Sequence, residues 1–83
     1  MPIESQAILE IARFIASQPS PDQILAFHSS PEVVQRAYSL IDAERNGTIT
    51  EDERRELDSY EAIEHIMIQT KAEALRKLQQ QAS

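Results

Sequence analysis

Five oxygen-bearing residues, Asp42, Glu44, Asn46, Thr48 and Glu53, fall within twelve consecutive positions around the single glycine, Gly47. Closely spaced oxygens followed by a further carboxylate suit a hard cation, which takes about six to eight oxygen ligands on a turning loop. Other chemistries are poorly served. There is no cysteine, which excludes a thiol nucleophile, a thiolate zinc site and an iron–sulfur cluster. His28 and His65 are the only imidazoles. The position three residues before His65 is Ala62, so the Glu-x-x-His spacing of a di-iron bundle is missing. His28 sits in the Phe27-His28-Ser29-Ser30 connection, where capping or solvent contact is the ordinary role. The sequence contains no glycine-rich phosphate loop and no nucleophile elbow, and a small chain leaves little room for a water-excluding pocket. No catalytic residue is assigned, and no enzyme is expected.

The run from Asp42 to Glu53 resembles an EF-hand calcium loop, with Asp42 at position 1, Glu44 at 3, Asn46 at 5, Gly47 at the sharp turn, Thr48 at 7, Ile49 at the apolar position 8 and Glu53 at 12. The resemblance implies a calcium ion held by Asp42, Glu44, Asn46, Thr48 and Glu53. Glu44 is one methylene longer than the usual residue, Arg54 takes the apolar place after position 12, and the sequence offers no second loop for pairing. The same residues also read without a metal. Asn46-Gly47 is a helix stop with glycine in the left-handed region, and Thr50-x-x-Glu53 is a capping box that starts the next helix.

Helical periodicity organises the rest. Ile3, Ala7, Ile8, Ile11, Phe14 and Ile15 make one apolar stripe, and Gln18-Pro19 should end that helix. Ser20-Pro21-Asp22-Gln23 combines an N-cap, an N1 proline and a capping-box glutamine, and Ser30-Pro31-Glu32 repeats the start. Neither serine needs a catalytic role. The helix opened by Ser30 should carry Val33, Val34, Ala37, Tyr38 and Ile41 on one face. From Glu51 onward no glycine or proline interrupts the chain to about Gln80, which allows a helix of roughly 45 Å. The expected fold is all-α: a single domain over 1–83 with helices near 3–17, 21–27, 31–44 and 51–79, the last two an antiparallel hairpin and the last one long.

Length and charge bear on partners. A chain of 83 residues buries only about 60% of the surface its unfolded form exposes. Three short helices are expected to leave part of the long helix uncovered, so Tyr60, Ile63, Ile66, Met67, Ala74, Leu75 and Leu78 form a candidate interface for a homo-oligomer or another protein. The net charge is −6, all of it within residues 42–64, where nine acids face Arg45, Arg54 and Arg55. Direct nucleic-acid binding is not expected from such a surface, whereas a basic protein would suit it. Glu10 and Arg13 break the first apolar stretch, and no run reaches the ~20 apolar residues of a membrane span. The cytoplasm is the expected compartment.

A second resemblance runs from Ser20 to about Leu78. Ser30-Pro31-Glu32, Gly47-Thr48-Ile49-Thr50, Glu53, Glu56-Leu57-Asp58, Tyr60, Glu64-His65 and Lys71-Ala72-Glu73-Ala74 are similar to short, uncharacterised bacterial proteins frequent in cyanobacteria. Their position beside small nucleases implies an antitoxin-like or accessory role, with a co-encoded basic nuclease as partner.

Overall fold

The structure, a computed structural model, describes residues 6–82. Over these the chain is all-α, with four helices: α1 (Gln6–Ala16), α2 (Pro21–Ala26), α3 (Pro31–Arg45) and α4 (Glu51–Ala82). The helices fall where periodicity and capping residues put them. Ile3 and the expected start of the first helix lie outside the described residues.

The helix ends follow local chemistry. The Ser20 hydroxyl accepts from the Gln23 amide and the Gln23 side chain accepts from the Ser20 amide, which closes the capping box of α2. Thr50 and Glu53 do the same at α4, at 3.1 and 2.9 Å. At the end of α3, Gly47 has φ +72°. Its amide bonds to the Glu44 carbonyl, and that of Thr48 to the Ala43 carbonyl. This is the Schellman closure, which glycine enters without the cost of a side chain in the left-handed region.

Ser30 caps α3 differently. Its hydroxyl accepts from the Val33 amide at 3.3 Å, but the N3 residue is Val33 and has no carboxylate to return the bond. Glu10 supplies it from α1, accepting from the Ser30 amide at 3.1 Å and from the Ser30 hydroxyl. The box is thus completed across twenty residues of sequence, and it ties α1 to the start of α3.

Each of the three shorter helices packs on α4, and none approaches another to a comparable extent. The core is Ala7, Val33, Leu40, Leu57 and Tyr60, with Ala37, Ile49 and Ile63 partly buried against it. Leu40 is the one fully buried side chain among the described residues, a position worth about 1.5–3 kcal/mol of apolar burial. The hairpin of α3 and α4 is pinned by a two-pronged contact from Arg36 to Glu56, both bonds 2.9 Å, and by Arg54 to Glu44 at 3.0 Å. The Phe14 and Phe27 rings, centroids 4.4 Å apart, join α1 to the end of α2. Lys71 of α4 donates to the Phe27 carbonyl at 2.7 Å.

Three apolar expectations shift. Ile15 is 63% exposed, because Ala7, Ile11 and Phe14 suffice for the face of α1 turned inward. Tyr38 is also exposed, and so, to a lesser extent, are Val34 and Ile41. The helix that carries them turns the expected Val33 and Ala37 to the core, joined there by Leu40. Finally, α4 is covered further along than expected. Met67 and Ala74 are buried, because α2 reaches the distal half of the helix, where Lys71 holds its end.

Candidate functional site

The expected metal donors are not gathered. Helix α3 continues through Arg45, so Asp42 and Glu44 stand two residues apart on a helix, about 200° around its axis, and point to different sides. Asp42 lies 3.8 Å from Arg45, Glu44 accepts from Arg54, and Thr48 donates to the Ala43 carbonyl at 3.3 Å. Asn46 is the C-cap of α3, and Glu53 is held in the capping box of α4. The twelve-residue loop implied by the EF-hand resemblance is therefore not the conformation of this segment. The helix stop and capping box, both open in the sequence, replace it. Among the described residues no group of three or more His, Asp or Glu side chains is arranged to hold a metal ion.

The expected interface divides in three. Tyr60, Met67 and Ala74 belong to the interior, Ile63 and Leu78 are half-buried, and Ile66 and Leu75 are exposed at 59% and 48%. The buried members are filled from within the chain, so the seven do not form one free face.

What the fold leaves open is a groove of about 490 Å³ between α3 and α4. Ala7, Val33, Tyr60 and Met67, all buried, lie at its base. Val34, Tyr38 and Ile41 come to it from α3 at i, i+4 and i+7, one helical stripe. Ile63, Glu64, Ile68 and Lys71 come from α4. Tyr38 is 64% exposed and Ile68 57%, which leaves large apolar side chains at the mouth of an apolar depression. The sequence set Tyr38 on one face with Val33, Val34, Ala37 and Ile41 and left Ile68 out of the candidate interface. The signal was present: residues 33, 37 and 40 and residues 34, 38 and 41 are two parallel stripes, and one small domain fills only one of them.

The polar frame is sparse and firmly held. Beside the groove, Tyr60 donates to Glu56 at 2.8 Å, and Glu56 accepts both prongs of Arg36. The Arg36 hydrogen bond, joined by that of Tyr60, outweighs burial and holds the Glu56 carboxyl below the ordinary range. On the α4 wall, Glu64 makes no ion pair among the described residues. Lys71 bonds to Phe27 through one of three ammonium protons.

Away from the groove, Arg45, Arg54, Arg55 and Arg76 pair with Asp42, Glu44, Asp52 and Glu73. Their charges are largely neutralised in place. No helix among the described residues is long and apolar enough to cross a membrane. No protein-family model, curated protein or solved structure matches the chain.

Proposed function

We propose that the chain is a non-enzymatic protein–protein interaction module of the cytoplasm that works through the groove between α3 and α4. The observation that carries this reading is the pairing of an apolar depression with large apolar side chains left exposed at its mouth, Tyr38 and Ile68. Exposed apolar side chains gathered beside a depression, rather than scattered singly, support a binding surface, and a stripe at i, i+4 and i+7 beside a groove suits the packing of another helix. A second copy and a co-encoded basic nuclease, the partner implied by the resemblance to antitoxin-like proteins, are the two occupants to be considered.

The test compares two equally apolar, equally exposed positions. Ile68→Lys, in the groove, should abolish association, whether read as oligomer mass by light scattering or as recovery of a co-expressed partner by affinity purification. Ile15→Lys, on α1 and not among the groove residues, should leave association intact. Equal behaviour of the two variants, with helix content preserved in both, would remove the groove from the function.

A further inference from the structure

The charges on the α4 wall point to the occupant, an inference that rests on the reading of the groove as a docking surface. Glu64, Ile68, Lys71 and Leu75 stand at i, i+4, i+7 and i+11 on one stripe of α4. Glu64 and Lys71 are about 10 Å apart along the axis, and the point midway between them falls between Met67 and Ile68, both groove residues.

An isologous pair requires a surface that is its own complement. A stripe with an acid at one end, a base at the other and isoleucine between them meets that condition when two copies run antiparallel. The parallel arrangement sets like charge on like. The shape agrees, since each copy offers both an apolar depression and a protruding Tyr38 beside it. A uniformly basic partner fits less well, because Lys71 lies within the groove lining and would oppose it.

We infer that the groove is filled by a second copy of this chain. The two α4 helices cross antiparallel about the level of Met67 and Ile68, and Glu64 of each copy bonds to the partner's Lys71. Ile68 and Tyr38 are covered in the contact, and both ends of the charged stripe are satisfied at once.

Light scattering over a dilution series from micromolar to millimolar protein should give a dimer. Ile68→Lys should leave a monomer, and Glu64→Lys should raise the dimer dissociation constant roughly tenfold by setting like charges together twice. The double variant Glu64→Lys with Lys71→Glu should restore the dimer. Lys71→Glu also removes the bond to the Phe27 carbonyl, so a second measurement leaves Lys71 in place. Carbodiimide treatment of a mixture of ordinary and nitrogen-15-labelled wild-type protein should yield mixed-label peptides joining Glu64 to Lys71.

A dimer without that link, indifferent to Ile68→Lys, overturns the arrangement. A wild-type chain that stays monomeric throughout overturns the second copy as occupant. The dye anilinonaphthalene sulfonate then separates the two readings. A monomer that binds it, and loses binding on Ile68→Lys, keeps the groove as a docking surface for some other chain. A monomer that does not bind it loses the docking surface as well.

Discussion

Glu10 shows how a single side chain can do work invisible in its own neighbourhood. On α1 it reads as one member of a solvated polar face, yet its carboxylate takes both the amide and the hydroxyl of Ser30. Burial raises its pKa, but the Ser30 bonds, together with Gln6 and Arg13, outweigh that and leave it below the ordinary 4.5. A carboxyl lowered on folding stabilises the fold fully above its unfolded value and loses that contribution as pH falls through the lowered one. Wild type should therefore lose stability as pH drops below about 4.5, and Glu10→Gln should be less stable at neutral pH and flatter across that window. Urea midpoints at pH 7 and in the acid range would show it, the difference between the two proteins isolating Glu10 from Glu56. The caps at Ser20 and Thr50 were legible in the sequence because their partners, Gln23 and Glu53, lie three residues on. The cap at Ser30 was legible as well, but the carboxylate that completes it was not, because Glu10 is brought to it by the fold. Leu40 was overlooked for a related reason: two apolar stripes on α3 are equivalent until the position of α4 selects one.

Among the elements, the connection from α3 to α4 takes one of two conformations written with the same letters, the helix stop and capping box. Glu53 closes the capping box on Thr50, and Gly47 closes the Schellman turn. Glu53→Gln retains an acceptor for the Thr50 amide and keeps the box in kind, whereas Thr50→Ala removes the hydroxyl and should cost about 1 kcal/mol. Addition of calcium should leave the Gly47 amide resonance of wild type where it is, and Glu53→Gln should behave identically. A saturable shift of that resonance, lost in Glu53→Gln, would restore the cation to this segment. The helices themselves were readable, since N-caps, prolines and a lone glycine are local signals. Their coverage of one another was not. Whether α2, only six residues long, reaches Met67 and Ala74 depends on where Lys71 anchors its end, and nothing near α2 in the sequence announces that.

Taken whole, the molecule is a rod with three short helices laid along it. α4 alone runs about 48 Å of a longest dimension of 52 Å, and each other helix finds its main packing surface there. Amide exchange should be slowest on the part of α4 from Leu57 to Ala74, which carries the buried side chains of that helix, and fastest beyond Leu78, where residues 79–82 are exposed. Uniform protection to the last turn would indicate that something covers that end. The same dependence on α4 governs the order in which the chain can acquire structure while it is being made. Translation delivers α1, α2 and α3 first, at about 5–20 residues per second, and for those seconds they lack their main packing surface. Collapse must wait until α4 has cleared the ribosomal tunnel through about Ala74, and nascent-chain force measurements should register a single late pull at that length rather than a stepwise rise.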